Sequence, residues 1–201
     1  HSDSRRQRQM CIRDRTSSLD PQVAELIGIS LSYAENISFY IPVGHKNIKG
    51  LNKDFVVKKL KPILEDPSIK KVGQNIKYDF IILKKYGVEL NPVEDTMLLS
   101  YTLDAGNNRH NMDTLSELHL NHKTISYKDL VGSGKKQLKF SEVDIDKATE
   151  YAAEDADVTL RLYEILSERV SDEKLSQIYE AFEKPMIKIL SKLETLSLIH
   201  I

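Results

Sequence analysis

Tryptophan is absent from this sequence, and cysteine occurs once, at Cys11. A single thiol excludes an internal disulfide and a cysteine-built zinc cluster, and suits a reducing, cytoplasmic setting. No apolar run approaches the ~20 residues of a membrane-spanning helix. Neither sign of charge dominates: 29 Lys and Arg stand against 30 Asp and Glu, a net charge of −1. That balance excludes a protein that grips nucleic acid with its whole surface, so any such contact is local. What remains, 40% hydrophobic and 29% charged residues in a chain of 201, is the balance of a soluble globular domain of ordinary size.

Arginine is scarce in an uneven way. Five of the eight arginines (Arg5, Arg6, Arg8, Arg13, Arg15) fall within the first 15 residues, and the other 186 residues hold three against 21 lysines. A basic arm for nucleic acid is one reading. The other is that His1–Arg15 is foreign to the coding sequence, since MCIRDR near the start and LSLIHI at the end read as translated adapter sequence. On that reading residues 1–15 and 196–201 stand outside the fold.

Leu26–Tyr33 and Ser38–Val43 read as a β-hairpin. Lys53–Glu65 reads as an amphipathic helix kinked or restarted at Pro62, Lys71–Gln74 as a strand, and Tyr78–Tyr86 as a helix that Gly87 ends. A short strand over Pro92–Asp95 leads into a helix to Leu103, and Asp113 is placed to cap a helix to Leu120. Asn121–Phe140 reads as loop, Asp146–Val170 as a long helix, and Ser171–Leu193 as a helical stretch interrupted at Pro185. A hairpin followed by alternating strands and helices predicts an α/β fold, a mixed sheet with helices on its faces.

Three patterns bear chemistry. In Val72-Gly73-Gln74-Asn75-Ile76-Lys77-Tyr78-Asp79 a strand ends and a helix begins, with Asp79 in the first turn. Its plainest role there is to meet the helix dipole. In the long helix, Tyr151, Asp155, Val158, Leu162 and Ile165 share one stripe. An aspartate on an apolar stripe requires a cation, donors or a buried ion pair to meet it. Between Lys123 and Phe140, Lys123, Lys128, Lys135, Lys136 and Lys139 interleave with Tyr127 and Phe140. Lysines for phosphates and aromatic faces for bases suit single-stranded nucleic acid, and a solvated loop is the alternative.

Together these patterns resemble the proofreading 3′→5′ exonuclease of bacterial DNA polymerase I, in the tyrosine branch of the DEDD exonucleases. KVGQNIKYD, GVELNPVEDTMLLSYTLD, HKTISYKDLVGSGKKQLKF and YAAEDADVTLRLYEIL carry the resemblance, with the hairpin that ends in YIPVGH. It spans residues 16–195, and from 173 onward it is to the helical start of a polymerase domain. The resemblance implies a ribonuclease H-like fold for residues 16–172. It also implies two divalent cations, Mg2+ or Mn2+, held in part by Asp79 and Asp155, and Tyr151 beside the attacking water. Two such ions can stabilise attacking and leaving oxygens together, and hard oxygen ligands suit these metals. Asn75, Tyr127 and Leu19 fall at substrate-binding positions. The implied partners are the single-stranded 3′ end of DNA and the polymerase domain of the same parent chain. The implied setting is bacterial cytoplasm, with work in replication and repair.

One motif departs from the family. Its Asp-x-Glu on the first strand should precede Thr16-Ser17-Ser18-Leu19-Asp20, yet Arg13 and Arg15 stand at those places, with Asp14 between them. A shift of one residue along a strand faces the other side of the sheet, so Asp14 is no substitute. The chain is therefore expected to lack hydrolytic activity. Two other readings stay open: a non-catalytic nucleic-acid-binding or spacer domain, and an RNA-trimming member of the same superfamily.

Overall fold

The computed structural model describes residues 8–134 and 137–196. Lys135, Lys136 and the 197–201 part of the terminal segment lie outside the described residues. Five strands form one sheet in the order β3-β2-β1-β4-β5: β1 is Arg8–Thr16, β2 Leu26–Ala34, β3 Ile37–Pro42, β4 Ile69–Gly73 and β5 Val93–Asp95. β1 runs antiparallel to β2 and parallel to β4, so the sheet is mixed and β1 is its centre.

That centre corrects the exclusion of residues 8–15 from the fold. Strand pairing is made by backbone groups, which Arg13 and Arg15 carry as well as any residue. The alternation of β1 also fits a covered strand. Met10 and Ile12 enter the core beneath α1 (Lys53–Leu64) and α2 (Ile76–Lys85), whereas Cys11 packs against Ala156 and Leu160 on the other side.

The second face is covered by α3 (Thr96–Asp104), α4 (Met112–Leu120) and α6 (Ile145–Asp172). Val72, Leu99, Leu115, Val158, Leu162 and Leu166 form the core there. α6 is the predicted long helix, begun by Asp144, whose carboxylate accepts from the backbone N–H of Asp146 and Lys147. The stripe from Tyr151 through Asp155 and Val158 to Leu162 is buried as its spacing requires.

Local differences have local causes. α1 runs through Pro62 to Leu64, and its start is capped by the Asn52 side chain accepting from Phe55 N, 2.9 Å away. The cap of α4 is Asn111, and Asp113 lies in its first turn, accepting a hydrogen bond from Thr124 Oγ1 at 2.7 Å. Within the predicted loop 121–140 a short helix, α5, covers Tyr127–Val131. Pro185 begins a helix instead of interrupting one: after α7 (Ser176–Ile178) and a π-helix over Tyr179–Glu183, α8 spans Lys184–Thr195. Tyr179 and Ile187 from this segment are buried in the two main core clusters, so it packs as part of the fold.

Candidate active site

The site lies where β1 ends between α2 and α6. Asp79 is 4% exposed and Asp155 is fully buried. Both reach adjacent residues of β1: Asp79 Oδ1 accepts from the backbone N of Asp14 at 2.7 Å, and Asp155 Oδ2 accepts from Arg15 Nη2. Asp79 therefore meets a strand amide, and the helix-dipole role does not account for its burial. Asp155 meets an ion pair, one of the partners its place on an apolar stripe called for.

Arg13 joins the same cluster, with Nη2 at 3.7 Å from Asp155 and Nη1 donating to Gln74 O at 2.9 Å. The Arg15 guanidinium lies 4.6 Å from the Tyr151 ring centroid and 5.8 Å from that of Phe140. Thus Arg13 and Arg15 face α6, and Asp14 falls on the opposite face beside Asp79, as strand alternation dictates. Burial, and then the nearby Asp79, push the Asp14 carboxyl well above the usual carboxylate range. Burial likewise raises Asp79, against the pull of Arg13. The Tyr151 phenol is pushed up to about 12 by burial and by Asp155, so it stays protonated near neutrality.

This donor set does not fit two divalent cations. Two guanidinium groups stand at Asp155, where cations would need carboxylates. Among the described residues no group of three or more His, Cys, Asp or Glu is spaced to hold a metal ion. Four buried polar atoms here have no hydrogen-bond partner: Asp14 Oδ1 and Oδ2, Arg15 Nε and Asp155 Oδ1. Native interiors leave few such atoms, and their concentration at β1 marks residues ill matched to their surroundings.

Of the predicted substrate residues, Tyr127 lies against this cluster. Tyr127 opens α5, is 46% exposed, and places its ring 5.9 Å from that of Tyr151. Asn75 caps α2 in a left-handed conformation (φ 56°), and its side chain makes no cap hydrogen bond to the helix. Leu19 is 96% exposed on the turn after β1. Sequence reasoning missed two supports. Glu154, beside Asp155, accepts from His122 Nε2 at 2.9 Å and Ile125 N at 2.7 Å, tying the lysine-rich segment to α6. Asp95 accepts from the backbone N of Asn75 and Ile76 and so holds the start of α2. Its one signal in sequence is an acid ending a strand just before a helix.

The mixed five-stranded sheet with helices on both faces is a ribonuclease H-like fold, and comparison with known proteins gives the family. A family described as 3′-5′ exonuclease, that of A-type DNA polymerases, matches residues 16–171, and the chain belongs to it. It is 45% identical over 199 residues to DNA polymerase I of Rhizobium leguminosarum, an alignment covering 89% of this chain and 20% of that protein. Identity to DNA polymerase I of Pseudomonas aeruginosa is 39% over 186 residues, again 89% and 20% of the two. The chain thus spans about a fifth of the length of these relatives. Among solved structures, Brucella melitensis NrnC with bound Mg2+ superposes with a TM-score of 0.69 at 22% identity, covering 98% of this chain and 88% of that one. Escherichia coli RNase D superposes with a TM-score of 0.66 at 17% identity, covering 92% and 44%. These likenesses bear on fold alone. Among the described residues no helix is long and apolar enough to cross a membrane.

Proposed function

We propose that this chain is the exonuclease unit of a DNA polymerase I, that it binds the single-stranded 3′ end of DNA, and that as it stands it does not hydrolyse that end. The observation that carries the second half is the Arg15 guanidinium on Asp155, with Arg13 3.7 Å away. In the parent enzyme, Asp79 and Asp155 with two first-strand acids would hold Mg2+ or Mn2+, supplying metal-assisted attack on the terminal phosphodiester. There the activity serves proofreading in replication and repair, in the bacterial cytoplasm.

Binding needs less than hydrolysis. Tyr127 offers an exposed aromatic face, Asn75 a side-chain amide, and Lys123, Lys128 and Lys139 positive charge for phosphates. Leu19, an exposed apolar side chain after β1, would pack on a frayed base. DNA is favoured over RNA as substrate because the relatives at 39–45% identity are DNA polymerases I, whereas the likeness to RNase D is one of fold.

The test is mononucleotide release from a labelled single strand, comparing this chain with Arg13→Asp/Arg15→Glu in Mg2+ or Mn2+, with EDTA as the blank. Release by the double variant alone is expected. EDTA-sensitive release by the unaltered chain would show that Asp14 serves after all. A folded but inert double variant would remove the roles given to Asp79, Tyr151 and Asp155.

A further inference from the structure

The segment that begins α2 has no cap of its own. Asn75 occupies the cap position, yet its side chain accepts no hydrogen bond from the helix. The first N–H groups of a helix need acceptors when they are buried. They find them in Asp95, whose Oδ1 accepts from Asn75 N at 3.1 Å and whose Oδ2 accepts from Ile76 N at 2.9 Å. The same Oδ1 also caps α3 through Met97 N at 2.8 Å. One carboxylate, 1% exposed, therefore joins two helix starts.

Asp95 is itself held from the far end of the chain. Its backbone N donates to Tyr179 Oη at 3.1 Å, and that hydroxyl donates to Glu94 Oε2 at 3.0 Å. Glu94 Oε1 in turn accepts from Lys184 Nζ at 2.9 Å. Tyr179 is 2% exposed and Glu94 also 2%, so neither bond has water as a ready replacement. Tyr179 opens the π-helix and Lys184 opens α8. π-helical turns are rare and are kept mostly where a side chain must be aimed.

We propose that Asp95 is a positioning residue for Asn75 and Asp79, and that Tyr179 couples the C-terminal helices to that position. The proposal rests on the reading above in taking Asn75 and Asp79 as working groups, but its central test does not need activity. A displacement of the 176–195 segment loosens Glu94 and the Asp95 backbone, and the start of α2 moves with them. The C-terminal helices thereby become a means of tuning the site from outside it.

The experiment is amide hydrogen exchange, resolved by residue, on the whole chain and on Tyr179→Phe, which keeps the buried ring and deletes the hydroxyl. Exchange at Asn75 and Ile76 should quicken roughly 3- to 10-fold, the scale of one lost hydrogen bond, while the β2–β3 amides stay unchanged. Uniform quickening, or none at 75 and 76, overturns the coupling. Lys184→Gln, which removes the ion pairs to Glu94 and Glu180 but leaves the Tyr179 hydroxyl in place, should give the same pattern more weakly, and keeps the proposal testable if Tyr179→Phe does not fold. In the Arg13→Asp/Arg15→Glu background, Tyr179→Phe should lower kcat/KM, and an equal kcat/KM would count against positioning. If that background proves inert, the functional reading fails while the exchange result still decides the coupling.

Discussion

The Arg15 guanidinium lies between the Asp155 carboxylate, to which Nη2 donates, and the Tyr151 ring, 4.6 Å from its centroid. A strand residue thus supplies the counter-ion to the most deeply buried acid of α6. Desolvated charge of either sign is costly alone, so each group is tolerable only because of the other.

Arg15→Met keeps the length of the side chain and removes the charge. It should destabilise the chain by about 3 kcal/mol, the lower end for breaking a buried pair, because Arg13 remains 3.7 Å from Asp155. Arg15→Met/Asp155→Leu should recover most of that loss. Urea unfolding midpoints of the three proteins decide the matter. An unchanged midpoint for the single variant would mean that Asp155 is neutralised in some other way.

Much of this was legible in sequence, for reasons that can be named. Tyr151 and Asp155 declare themselves because four residues is one helical turn and the stripe continues to Leu162. Asp79 is found through the strand-to-helix passage around Asn75, but its partner, the amide of Asp14, is a backbone group that no residue type advertises. β1 was hidden by composition. An arginine-rich stretch suggests no strand, yet neighbours on both sides supply its pairing. α5 was hidden by brevity, since five residues show no helical period. Asp95 was out of reach because its partners lie 19 and 84 positions away.

Tyr127 should carry a large part of single-strand binding. Stacking on one aromatic is worth ~1–3 kcal/mol per base, so Tyr127→Ala should weaken affinity roughly 5- to 150-fold at fixed salt. Anisotropy of a short labelled oligonucleotide measures it. Because Tyr127 is 46% exposed, folding stability should change little. Unaltered affinity would reduce the lysine-rich segment to solvated surface.

Gly28 sits opposite Arg15 in the β1–β2 register. A Cβ added there would lie 2.2 Å from Tyr40 Oη, and that hydroxyl is tethered to His45 Nε2 at 2.7 Å. The ring cannot swing freely, since Phe140 is T-stacked on it with centroids 6.3 Å apart. Gly28→Ala should therefore cost about 1–3 kcal/mol through overpacking. A thermal or urea melt matching the unaltered chain would show that Tyr40 yields without loss.

Burial raises the Asp95 carboxyl to about 6, although the backbone N–H groups of Met97, Asn75, Ile76 and Leu98 pull it down. Its unfolded value is ordinary, near ~3.9, so between pH 6 and 4 the folded state holds the extra proton. The Asp95 contribution to stability therefore grows as pH falls through that window and is lost as pH rises through about 6. His45 and His119 oppose it, because burial lowers both and the unfolded chain then takes up protons first as pH falls through the histidine range. The raw pH profile mixes these effects. The difference between the unaltered chain and Asp95→Asn does not, since the histidines are common to both. That difference should shift in favour of the unaltered chain by up to about 1.4 kcal/mol per pH unit between pH 6 and 4. Urea midpoints at half-unit steps give the slope. A flat difference would mean that the backbone donors, and not burial, set the Asp95 proton affinity.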